Sequence, residues 1–152
     1  MGKREEQKKI RKQLILEKGL ELFVEKGYSA TKISDIAKAV DMSVGLMFHY
    51  FESKEKLYEE LVLFGLQGTQ LAMRFDAEHP LMFFEQAAKG IFESIRSNPM
   101  VAKMFVFMER SQQSMELPER IRDIANRVNN IPMSVALIEK GQQKKKKKNG
   151  NP

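Results

Sequence analysis

Residues 31–54, TKISDIAKAVDMSVGLMFHYFESK, decide the fold. Ile33, Ile36, Ala37 and Val40 recur at three- and four-residue spacing, which gives a short helix one apolar face. Thr31 stands at its start, where a hydroxyl can accept a hydrogen bond from an unpaired backbone N–H. Asp41 predicts a tight turn, because its short side chain tolerates left-handed backbone and bonds locally. Ser43 then caps a second helix, with Met47 and Phe51 facing inward, and Ser53 opens a third. Two short helices joined by such a turn predict a helix-turn-helix, whose second helix enters a DNA major groove.

Upstream, Ile15, Leu16, Gly19, Leu22, Phe23 and Lys26 mark one side of a long first helix. Gly27 ends it, since glycine adopts the left-handed terminal conformation without penalty. Tyr28 then either packs back or reaches a phosphate. Lys3, Arg4, Lys8, Lys9, Arg11 and Lys12 form either a phosphate-tracking arm or a solvated helix face.

Downstream, the helix after Ser53 runs past Leu57, Leu61, Phe64 and Leu71 towards Arg74. Gly65 and Gly68 on it either permit close packing or weaken it. Asp76 to Pro80 is a loop, with Pro80 starting the next helix. Phe84, Ala87, Ala88, Ile91, Phe92 and Ile95 form one stripe. Pro99 starts another helix, in which Val101, Met104, Phe105 and Met108 repeat. Gln112 to Glu116 is a polar break. Pro118 opens a helix with Ile121, Ile124, Ala125 and Val128 on one face. Pro132 predicts a kink, before Val135, Leu137 and Ile138 resume the pattern up to Gly141. There is no strand pattern and no repeat, so the chain is read as all-α.

The 152 residues are 42% hydrophobic, enough for a core. The absence of cysteine excludes disulfides, thiolate metal sites and cysteine nucleophiles. The charged N-terminus is no signal peptide, and no apolar run approaches a membrane span, so a cytoplasmic location without membrane contact is expected. The net charge of +6 divides unevenly: +3 over residues 1–57, −2 over 58–143 and +5 in Lys144 to Lys148. The positional bias towards a basic N-terminal third is therefore better evidence for DNA than the total charge.

The run from Ile15 through Leu57 resembles the N-terminal domain of TetR-family transcriptional regulators. The matching pieces are Leu22-Phe23, Gly27-Tyr28, Thr31, Ile36-Ala37, Ser43, Gly45, Phe48-His49-Tyr50-Phe51 and Ser53-Lys54-Glu55 with Leu57. Asp41 replaces a usual glycine, Phe48 a tyrosine, Leu46 a frequent threonine and Met42 a smaller residue. The resemblance implies residues 1–52 as a three-helix DNA-binding domain and 53–143 as a helical ligand-binding and dimerisation domain. Residues 144–152 are a lysine-rich tail. The resemblance further implies two more C-terminal helices pairing between subunits; this chain has its lysines there, so a protein of these residues alone is expected to be monomeric or aggregation-prone.

Val44, Gly45, Leu46 and Phe48 lie at the start of the second short helix, the part that meets base edges. Apolar side chains there read thymine methyls rather than donor–acceptor patterns. The other reading of Leu46 and Phe48 is packing on the neighbouring helix. His49 and Tyr50 match family positions that touch phosphates. Lys54, in the first turn of the next helix, is expected to bind a phosphate. Thr31, Lys32 and Ser43 reach backbone oxygens and Ser34 a base, with capping the alternative for each hydroxyl.

Methionine and phenylalanine, ten of each, are dense after residue 60. Plain core is one reading; an adaptable apolar cavity is the other. The resemblance implies a cavity here, lined by Met104, Phe105 and Met108 with Phe92 across from them. Catalysis is not expected: only His49 and His79 supply imidazole, and no motif brings a nucleophile to a base. No spacing suggests a metal, and no cofactor is implied. The sequence thus predicts a ligand-responsive repressor, homodimeric in its functional form. It would bind a double-stranded operator and release it when an apolar or amphipathic small molecule binds. The alternative is a short form that pairs with a full-length regulator and blocks it.

Overall fold

In the computed structural model, which describes residues 2–72 and 80–127 with positions 135, 139, 142 and 143, the first helix, α1, spans Lys3–Lys26. Its buried residues are Ile15, Gly19, Leu20 and Phe23, all in the second half. The basic first half is mostly exposed, with Lys12 tied to Glu60 at 2.8 Å. Gly27 ends α1 at φ 83°, and its N–H donates to Phe23 O at 3.0 Å, as a glycine terminus should.

Helices α2 (Ile33–Ala39) and α3 (Val44–Phe48) follow. Asp41 between them has φ 52°, the left-handed turn expected of it. Ser43 caps α3 by accepting from Leu46 N–H at 3.2 Å. Met47 and Phe51 are buried. Helix α4 (Lys54–Ala72) opens with Ser53 Oγ accepting from Lys56 N–H at 3.2 Å.

Three further helices follow: α5 (Pro80–Ser97), α6 (Pro99–Gln113) and α7 (Glu119–Asn126). Pro80 and Pro99 stand at first positions, where a missing N–H is no loss. Asn98 caps α6 through a bond from Met100 N–H of 3.0 Å. All regular structure among the described residues is helical, with no strand.

One core joins α1, α2, α3, α4, α6 and α7. At Gly19 an added Cβ would lie 2.8 Å from Leu57 Cδ2, so the glycine lets α1 and α4 approach closely. Gly65 does the same for α4 and α6: an added Cβ would lie 2.5 Å from Met108 Sδ. Between α1, α4 and α6, Phe23, Tyr58 and Phe107 cluster, with Tyr58 centroids 4.8 Å from Phe23 and 4.6 Å from Phe107. Such aromatic pairs add to plain area burial.

Two expected faces are rotated. On α4, Leu57 and Leu61 are buried as predicted, but Phe64 is 59% exposed and Val62 faces inward. On α6 the buried residues are Phe107, Met108 and Ser111, and Phe105 is exposed. The reason is the same in both: α4 and α6 meet at Gly65, and the line of contact passes through that gap. On α5, Phe84, Ala87, Ile91 and Ile95 are half-buried, whereas Ala88 and Phe92 point out. The predicted loop at Asp76 to His79, the Val128 and Pro132 features, Leu137, Ile138, Gly141 and the lysine run lie outside the described residues. Val135 is helical and exposed.

Candidate nucleic-acid interface

The exposed side of α3 is built from behind. Met47, at 0% exposure, and Phe51 anchor the helix in the core, so the residues between and before them face out. Val44 is 40% and Phe48 49% exposed, which decides against packing for Phe48. Leu46 is half-buried. Gly45 is exposed, with open space where a Cβ would stand. His49 is exposed and Tyr50 half-buried, directly after α3. Lys32, Ser34 and Ser43 are exposed on the same two-helix unit. This is an apolar, convex helix end flanked by hydroxyls, an imidazole and a lysine.

Two expected contacts are placed elsewhere. Thr31 does not cap α2. Its side chain is fully buried, and its hydroxyl donates to Gly27 O at 2.7 Å, with Leu22 O at 3.2 Å. Lys32 is the residue before α2, and its N–H donates to Asp35 Oδ2 at 3.3 Å. The hydroxyl satisfies carbonyls left over at the end of α1, a demand that arises only once the chain has turned back. Thr31 therefore has no surface to offer a phosphate. Lys54 is half-buried, and its ammonium donates to Tyr28 O at 2.8 Å and Thr31 O at 3.1 Å.

Tyr28 packs back rather than reaching outward. Its ring lies 5.2 Å from Tyr58 and 6.3 Å from Phe23. Its hydroxyl donates to Glu55 Oε1 at 2.7 Å. Burial, followed by the Glu55 carboxylate, pushes the Tyr28 phenol up. The same bond is the main reason that Glu55 is held below the usual carboxylate range. Nothing local in the sequence pairs these residues, which are 27 apart.

Helix α6 grips the end of α1 from the other side. Lys103 Nζ lies 2.7 Å from Glu21 Oε1, and Arg110 Nη1 donates to Val24 O. Sequence reading missed both ties; the two basic residues of α6, Lys103 and Arg110, seven positions apart and so on one side of the helix, were the available signal. On α4, Glu59 is buried and bonded to Arg120 at 2.6 Å and Lys56 at 3.3 Å.

The candidate ligand residues do not come together around one cavity. Met108 is buried and Met104 half-buried, both against Gly65. Phe105 is 45% and Phe92 72% exposed, so neither walls an enclosed space. Phe92 falls on the outer side of α5, whose inner line is taken by Ile91 and Ile95. An open groove of about 570 Å³ lies instead between α4 and α7, lined by Glu59, Leu63, Glu119, Arg120, Asp123, Ile124 and Arg127. Among the described residues no group of three acidic or imidazole side chains could hold a metal ion. None of the described helices is long and apolar enough to cross a membrane.

Residues 15–61 match the family described as bacterial regulatory proteins, tetR family. The chain is 27% identical over 123 residues to the HTH-type transcriptional regulator YuxN of Bacillus subtilis, covering 79% of this chain and 41% of YuxN. It is 39% identical over 51 residues to IcaR of Staphylococcus aureus, the negative transcriptional regulator of the biofilm operon icaADBC, covering 34% of this chain and 27% of IcaR. The chain thus spans less than half the length of either relative. Two solved structures are similar. A tetR family transcription regulator from Shewanella sp. PV-4 has a TM-score of 0.58 at 27% identity, over 88% of this chain and 71% of that one. PfmR, a TetR family transcriptional regulator from Thermus thermophilus, has a TM-score of 0.60 at 25% identity, over 86% and 71%.

Proposed function

We propose, from the match of residues 15–61 to the tetR family, that the chain is a ligand-responsive DNA-binding regulator acting as a repressor. The observation that carries this reading is α3, anchored by buried Met47 and Phe51 while Val44, Gly45 and Phe48 stay exposed. A helix held this way enters a major groove with its first turn against the base edges. Val44, Leu46 and Phe48 meet thymine methyls, and Gly45 admits close approach of the backbone. His49, Tyr50, Lys32, Ser34 and Ser43 contact the sugar–phosphate backbone or a neighbouring base and set the register.

Two such helices, one from each subunit of a homodimer, span successive grooves about 34 Å apart. An apolar or amphipathic effector shifts the population to a state in which that spacing is lost. Its entry is the α4–α6 seam, where Met104 and Met108 repack around it, methionine being the most adaptable apolar side chain. Glu21–Lys103 and Arg110–Val24 O connect α6 to the end of α1, so a displaced α6 moves the DNA-binding unit. The names of the similar proteins describe regulators, one of them negative, which supports repression over catalysis.

Selection of duplexes from a random pool, followed by footprinting, tests the reading. The expected result is enrichment of a two-fold site protected in two adjacent major grooves. Retention of the pool without enrichment would sink the DNA reading; protection of a single groove would sink the homodimer.

A further inference from the structure

We propose that Lys54 is a positioning residue, holding the loop between α1 and α2 against α4 and thereby aiming α3, rather than a phosphate ligand. Its consequence for DNA rests on the function proposed above. Lys54 occupies the first turn of α4, where the helix dipole disfavours a cation. What compensates lies in the loop between α1 and α2. The ammonium donates to Tyr28 O at 2.8 Å and Thr31 O at 3.1 Å, and stands 4.1 Å from the Tyr28 ring centroid. Two of its three donors are thus used, and the aromatic face adds a cation–π contact.

The loop is tied to α4 a second time, through Glu55, and closed on itself through Thr31. Tyr28 Oη bonds Glu55 at 2.7 Å, and buried Thr31 bonds Gly27 O at 2.7 Å. Lys32, the cap residue immediately before α2, follows Thr31 directly. A carbonyl held by Lys54 therefore sits one residue from the point where the helix-turn-helix unit begins. Removing the ammonium frees Tyr28 O and Thr31 O together and loosens the entry into α2, while the count of cations facing DNA stays the same.

The two roles separate experimentally. The probes are a duplex selected from the random pool and a random-sequence duplex, each titrated over a range of salt. They are combined with amide hydrogen exchange of residues 27–33 in the free 152-residue protein. Lys54→Ala is expected to reduce the ratio of selected to random affinity by about tenfold and to speed exchange at 27–33, with an unchanged salt slope. Lys54→Arg, whose guanidinium also donates to two carbonyls and stacks on a ring, should keep both the protection and the ratio. Equal loss on both duplexes, a salt slope lower by about 1 and unaltered exchange would identify a phosphate ligand and overturn the proposal. If the wild-type protein binds neither duplex, the DNA reading fails, and the exchange comparison still decides whether Lys54 holds the loop. If Lys54→Ala does not fold, Tyr28→Leu replaces it. That variant keeps the ammonium but removes ring and hydroxyl, and it must speed exchange at 27–33 for the proposal to stand.

Discussion

Tyr58 of α4 donates its phenolic proton to Ser111 of α6 across 2.8 Å of buried interior. The direction follows from proton count: Ser111 has one hydroxyl proton and gives it to Phe107 O at 2.6 Å. Burial raises the Tyr58 phenol above its ordinary range, which keeps that proton in place. The two side chains therefore differ in what their removal leaves behind. Ser111→Ala strands a buried donor and should destabilise the fold by about 1–3 kcal/mol, whereas Tyr58→Phe strands only a lone pair and should cost about 1 kcal/mol. Urea unfolding of the two variants checks the order.

Gly65 and Gly68 are one turn apart on α4 and should respond differently to alanine. A Cβ at Gly68 meets nothing within 4 Å, so Gly68→Ala gains helix propensity of up to about 1 kcal/mol. At Gly65 the same methyl falls 2.5 Å from Met108 Sδ and 3.0 Å from Met104 Sδ. Overpacking of this kind costs about 1–3 kcal/mol and should match or exceed the propensity gain. Thermal unfolding of both single variants decides it; equal stabilisation would mean that α4 and α6 are not in close contact.

The tie between α1 and α6 should carry a pH signature. Hydrogen bonds from Lys103, then Lys18, hold the Glu21 carboxyl below its ordinary range, against the opposing effect of burial. A carboxyl depressed in the folded state stabilises the fold above its unfolded pKa of about 4.3, and that contribution is lost as pH falls through the folded value. Glu21→Gln should therefore be less stable than wild type at pH 7, by about 0–1 kcal/mol given its part exposure, and should converge with it in strong acid. Denaturant unfolding across pH 2–7 is the measurement. A constant difference at every pH would show that packing, not charge, is what the substitution removes.

Val44 and Leu46 offer no hydrogen bonds to bases, so base readout should depend on methyl groups. Replacing thymines by uracil, one position at a time in the selected duplex, should weaken binding at one or more sites by about 1 kcal/mol. Full affinity at every substituted position would leave DNA shape as the source of specificity.

What residues 31–54 determined by themselves was local. The Asp41 turn, the Ser43 cap, the Ser53 start and the buried pair Met47 and Phe51 all stand where the spacing puts them. Each depends on atoms within a few residues, and so does the end of α1 at Gly27. The tertiary structure decided everything whose partner is distant in the chain. Periodicity marks an apolar stripe but not the side from which another helix arrives, so Phe64 and Phe105 turned outward once α4 and α6 met at Gly65. Hydroxyls and ammoniums bond to whichever unpaired carbonyl folding brings near. The Thr31 hydroxyl bonds Leu22 O nine residues back as well as Gly27 O, and Lys54 was drawn 26 residues back to Tyr28 O, a carbonyl in the loop after α1 that folding brings beside it.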